Sequence, residues 1–99
     1  MLNIQKTITS EKAVFFPEGR LDTNTAPDLE KAIQDSLPGL KELVFDFEKL
    51  EYVSSAGLRV LLSAQKAMNA QGEMKICHVN STIMEIFEVT GFSDILTIE

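Results

Sequence analysis

Ninety-nine residues, 44% of them hydrophobic and 24% charged, suit one compact soluble domain with a single core, and exclude a disordered tail. Nine basic residues against fifteen acidic ones give a formal charge of −6, which repels phosphate backbones and excludes nucleic acid as the expected partner. No apolar run approaches the roughly 18 residues of a membrane span, and Met1-Leu2-Asn3-Ile4-Gln5-Lys6 lacks a signal-peptide pattern, so a cytoplasmic protein without membrane insertion is expected.

In chain order, Leu2-Asn3-Ile4-Gln5 and Ala13-Val14-Phe15-Phe16 predict two strands of a hairpin, joined by a turn at Ser10-Glu11-Lys12, with the second strand ending near Pro17. The segment from Gly19 to Thr25 reads as a polar loop. Thr25 with Asp28 has the spacing of a capping box, Pro27 suits a first turn, and Ala26, Leu29, Ile33 and Leu37 line one helical face until Pro38-Gly39.

Leu43-Val44-Phe45-Asp46-Phe47 predicts a central strand covered on both faces. Tyr52-Val53 closes another apolar strand. Leu58, Leu61, Leu62, Gln65 and Met68 then recur at helical spacing, so a helix runs to about Ala70, with Ser54 or Ser55 as its N-cap and Arg59, Ser63, Lys66 and Asn69 facing outward. Gln71-Gly72 stops it.

Met74 to Val79 predicts the next strand, within which Cys77 reads as a small core residue and His78 as exposed on the opposite face. Asn80 or Ser81 caps a third helix carrying Ile83, Ile86, Phe87 and Thr90, with Gly91 as its left-handed terminator. Phe92 to Ile98 leaves room for a turn and an edge strand. A hairpin followed by alternating helices and strands predicts an α/β fold, a mixed and mainly parallel sheet of about five strands with three to four helices packed on it, in one domain over residues 1–99.

Most chemistry is absent. Neither G-x-x-x-x-G-K-[ST] nor G-x-G-x-x-G occurs, so no nucleotide cofactor is expected; G-x-S-x-G is missing and His78, the only histidine, is far from the serines in sequence, which argues against a hydrolase. Adjacent Cys77 and His78 on a strand cannot share a metal, so no metal site is expected. Asp22 reads equally as a turn acid and as a functional one, and Asp46 in a buried strand needs hydrogen-bond partners or solvent.

The stretch that carries function is Ser54-Ser55-Ala56-Gly57-Leu58-Arg59. Free N–H groups and the macrodipole at a helix start tolerate negative charge, so a phosphoserine there adds about −1.5 to −2 charges without unfolding the helix. The same serines also serve as ordinary caps. Gly57 costs about 0.5–1 kcal/mol relative to alanine, which points to a close approach by a neighbouring strand or a partner.

Gly19-Arg20-Leu21-Asp22, Thr25-Ala26, Leu43 to Phe47, Tyr52 to Leu58 and Thr90-Gly91-Phe92 together resemble a STAS domain, and among these the stand-alone bacterial anti-sigma factor antagonists. The resemblance runs end to end. It implies a binding switch that is not an enzyme: the unmodified protein binds an anti-sigma factor that is also a serine kinase, phosphorylation releases that partner, and a PP2C-type phosphatase resets the cycle. In the usual family pattern the loop reads Asp-Ser-Ser-Gly, with the serine before glycine as acceptor. Here Ala56 occupies that position and Ser54 replaces the aspartate. The resemblance therefore implies phosphorylation at Ser55, or second at Ser54, and partner binding by Asp22, Ser54, Ser55, Ala56, Gly57 and Arg59. The alternative it leaves is a subunit that never switches, such as the STAS subunit of a lipid-transporting ABC system.

Overall fold

The computed structural model describes residues 2–99. Strands β1 (Asn3–Thr9) and β2 (Lys12–Leu21) form the hairpin; helix α1 (Ala26–Ser36) leads to β3 (Glu42–Asp46) and β4 (Leu50–Val53). Helix α2 (Ser55–Asn69), β5 (Glu73–Cys77) and α3 (Ser81–Thr90) follow, and a 3-10 turn spans Phe92–Asp94. The expected α/β fold holds, with five strands and three α-helices.

The sheet runs β1-β2-β3-β5, and β4 also pairs with β2. Only β1 is antiparallel to its neighbour; the pairs β2–β3, β2–β4 and β3–β5 are parallel. The organising strand is β2, which does not stop near Pro17 as the sequence suggests but continues to Leu21. Its first half, Lys12 to Phe15, registers with Glu42 to Phe45, and its far end, Gly19 to Leu21, registers with Leu50 to Val53 across an irregularity at Gly19/Arg20.

Burial alternates along β3 and β5, so the sheet has one sealed face and one half-open face. Leu43 and Phe45 are sealed while Val44 and Asp46 are half-buried, which corrects the expectation that this strand is covered on both sides. Phe15, Phe45 and Phe47 form the aromatic centre, with ring centroids 5.8 Å apart for the first pair and 5.9 Å for the second. Leu29 and Ile33 of α1, Leu61 and Met68 of α2, and Ile83 and Phe87 of α3 complete the core.

Helix ends follow the sequence with one exception. Asn80 caps α3 by accepting from the Ile83 N–H at 2.8 Å, and Gly91 ends it at φ 82°, a conformation that favours glycine. Thr25 flanks α1 but makes no side-chain cap with Asp28; its hydroxyl turns back to the Arg20 carbonyl at 2.8 Å. The tail matches its expectation, with Ile98 bridging Ile76 in parallel. No helix among the described residues is long and apolar enough to cross a membrane.

Candidate functional site

Leu21 registers with Val53, so the two residues that leave these parallel strands, Asp22 and Ser54, emerge side by side on the carboxyl rim of the sheet. The Ser54 N–H continues the ladder by donating to the Leu21 carbonyl at 2.8 Å. At Ser54 the backbone is still extended (φ −89°, ψ 177°), its carbonyl accepts the first helical bond from Leu58 at 2.9 Å, and its hydroxyl accepts from the Gly57 N–H at 3.4 Å. Ser54 is thus the N-cap of α2, half-buried, and Ser55 is the first helical residue, exposed.

Ala56 leans half-buried against the core, and Gly57 is buried. A Cβ on Gly57 would lie 2.7 Å from Leu21 Cγ and 3.0 Å from Val53 Cγ1, so the helix start presses directly on the two strands that flank it. Of the two readings of this glycine, the close approach of a neighbouring strand is therefore realised within the chain itself. Arg59 projects from the exposed side of α2 one turn beyond Ser55 and makes no ion pair among the described residues.

Asp22 is held by a reciprocal turn three residues upstream of the capping box expected from sequence. Its Oδ1 accepts from the N–H groups of Asn24 and Thr25 at 3.0 and 3.1 Å, while its own N–H donates to the Thr25 hydroxyl at 2.8 Å. The Ala26 N–H donates to the Asp22 carbonyl at 2.8 Å. The turn reading of Asp22 is realised, because the carboxylate organises the turn, and the residue itself leaves β2 next to where Ser54 leaves β4. On the same rim Arg20 stacks over Tyr52, 4.5 Å from the ring centroid.

Partial desolvation pushes the Asp22 carboxyl up, but the N–H groups of Asn24 and Thr25, the Thr25 hydroxyl and the nearby Arg20 charge outweigh it and hold the acid below its ordinary value of 3.8. A depressed folded-state value means that this stabilisation is present above about pH 3.8 and is lost as pH falls through the lower folded value. Melting temperatures measured from pH 6 to pH 2 are expected to fall more steeply for the wild type than for Asp22→Asn. Parallel curves would show that this carboxylate does not contribute.

The neighbouring strands depart from the sequence reading. β5 ends at Cys77 rather than Val79, and His78 takes a left-handed backbone conformation at φ 57°. Cys77 consequently sits half-exposed on the open face instead of in the core. The turn swings the His78 ring towards the same face, where Nδ1 lies 3.0 Å from Asp46 Oδ1. The two residues do not point apart as strand alternation requires, because the strand has already ended.

Residues 3–99 match the STAS domain family. The anti-sigma-B factor antagonist of Staphylococcus aureus is 31% identical over 100 residues, covering 96% of this chain and 90% of that protein. BtrV of Bordetella bronchiseptica is 35% identical over 83 residues, covering 82% of this chain and 72% of the relative. Among solved structures, the unphosphorylated anti-sigma factor antagonist SpoIIAA superposes with a TM-score of 0.85 at 19% identity, over 98% of this chain and 88% of that one. The phosphorylated form of the Bacillus protein superposes at 0.77, over 98% and 91%. With its matched sequence spanning nearly every residue and its strand order carrying the same architecture, the chain belongs to the STAS domain family.

Proposed function

We propose that this protein is an anti-sigma factor antagonist, a regulatory binding module that captures an anti-sigma factor through the rim formed by Asp22, Ser54, Ser55 and Arg59. The anti-sigma factor is in this reading also a serine kinase, and phosphorylation of Ser55 ends the complex. The observation that carries the switch is the placement of Ser55: an exposed residue at the first position of a 15-residue helix, on the rim where the parallel strands β2 and β4 end. A phosphate there meets unpartnered N–H groups and the positive helix end, and Arg59 lies one turn on, within reach of a charge-assisted bond. The chain therefore tolerates the modification. A partner seated over the same rim would have to bury a dianion on a chain whose net formal charge is already −6.

Ser54 is the less suitable acceptor because its hydroxyl already caps the helix and is half-buried. Relatives named as antagonists, and the existence of SpoIIAA in phosphorylated and unphosphorylated forms, support the switching reading. A PP2C-type phosphatase would regenerate the binding form in a cytoplasmic cycle.

Incubation with the cognate kinase and ATP, followed by mass spectrometry of the peptide containing both serines, is expected to place one phosphate on Ser55. Modification of neither serine would overturn the switch. It would also favour the second reading, a module that never releases its partner, for which the lack of a hydroxyl at Ala56 speaks.

A further inference from the structure

Asp46 and Cys77 are direct partners in the parallel β3–β5 register, so their side chains leave the same half-open face. His78 turns onto that face through its left-handed backbone, at the one positive φ of any non-glycine residue among those described. A carboxylate oxygen, a thiol sulfur and an imidazole nitrogen thereby lie within 4.8 Å of one another. Three donor types from two strand ends converge, although adjacent residues of one strand could not have done so.

We propose that Asp46, Cys77 and His78 form a binding site for a zinc-type divalent cation, with water completing a four-coordinate shell. Thiolate and imidazole together select a borderline-soft dication such as zinc over magnesium or calcium. Donors at about 2.0–2.3 Å from such an ion stand roughly 3.3–3.6 Å apart, so from a spread of up to 4.8 Å the widest separation shortens by about 1.5 Å at most, while the 3.0 Å His78 Nδ1–Asp46 Oδ1 pair widens slightly, both within the reach of side-chain rotation. His78 is 61% exposed, which leaves an entry path.

The surroundings favour a dication. Asp46 pairs with no lysine or arginine among the described residues, and its Oδ1 is fixed by the Glu48 N–H at 3.0 Å. Glu99 and Glu48 add negative charge near the Cys77 sulfur, and a free thiol is ordinarily protonated near neutral pH. Binding breaks the S–H bond, forms the metal–sulfur bond and delivers that proton to solvent. Phe45 registers opposite Phe15 whereas Val53 registers opposite Leu21, six residues further along β2, so the cluster sits about 20 Å of strand away from the serines.

The test uses the full chain, reduced with a phosphine. Calorimetric titration with zinc chloride is expected to give one equivalent, with about one proton released when two buffers of different ionisation enthalpy are compared. Cobalt chloride should produce a thiolate-to-metal charge-transfer band that Cys77→Ser abolishes. Cys77→Ser, Asp46→Asn and His78→Asn should each weaken zinc at least about tenfold; asparagine is chosen at His78 because it tolerates the left-handed backbone. Melting curves without metal keep folding separate from binding, and the near-isosteric Cys77→Ser variant carries the test should another variant unfold. No charge-transfer band, or zinc held equally by all three variants, overturns the site.

Discussion

Ser55→Asp is expected to weaken binding of the anti-sigma factor by about 30-fold or more, while Ser55→Ala stays within about twofold of the wild type. The difference follows from what each substitution does at the rim. Ser55 is exposed at the first position of α2, so losing its hydroxyl removes little, within the roughly 0.5 kcal/mol usual for a surface change. A carboxylate in its place must be desolvated under the partner, at a cost of about 2–5 kcal/mol for a buried unpaired charge. At about 1.4 kcal/mol per decade the lower end already gives a factor near 30.

The same substitution should leave the fold alone. Negative charge in the first turn of a helix contributes about 0.3–1 kcal/mol favourably, so the melting temperature of Ser55→Asp should equal or exceed that of the wild type. Equilibrium binding measured beside a thermal melt therefore separates loss of affinity from loss of structure. Equal affinities for the two variants would remove Ser55 from the interface.

Phe45→Ala is expected to cost about 3–5 kcal/mol of folding stability, a large share of the roughly 5–15 kcal/mol that holds a domain of this size. Phe45 is wholly buried in β3, between β2 and β5, and its ring contacts both Phe15 and Phe47. Truncation removes both aromatic contacts and leaves a void that the flanking strands, tied by their ladders, cannot close. Urea unfolding is expected to show the midpoint falling sharply at an unchanged slope. A loss below about 1 kcal/mol would mean that the sheet repacks around the void.

The helices were the most legible part of the sequence because their signals are local. Apolar spacing marked Leu29 and Ile33, Leu61 and Met68, and Ile83 and Phe87, and the caps Ser54 and Asn80 stand where polar residues precede those runs. Errors arose where a distant partner decides. Pro17 and Gly19 look like the end of a strand, yet β4, thirty residues downstream in sequence, recruits Gly19 to Leu21 into the sheet. At the first helix the competitor is local: the Thr25 hydroxyl donates to the carbonyl of Arg20, five residues upstream, and makes no cap with Asp28.

At the candidate site, residue type and position marked Ser54 and Ser55 as a helix start and left Asp22 open between turn acid and functional acid, and the family resemblance joined them into one surface; the adjacency of Asp22 and Ser54 is visible only through the Leu21–Val53 register. The Asp46–Cys77–His78 cluster was hidden altogether. Strand alternation assigns neighbouring residues to opposite faces, and only the backbone reversal at His78 brings the ring back to Asp46.

The double engagement of β2 bears on how the molecule is born. This strand is synthesised early but cannot satisfy its second edge until residues 42–53 have left the ribosome, and β3 in turn waits for β5. Such pairings require chain segments of thirty or so residues to be closed before they are rewarded, which slows folding relative to a helical bundle. The rim is consequently a late product: Asp22 and Ser54 become neighbours only when Leu21 and Val53 zip together, so a nascent fragment ending before that point has no assembled rim to offer a partner.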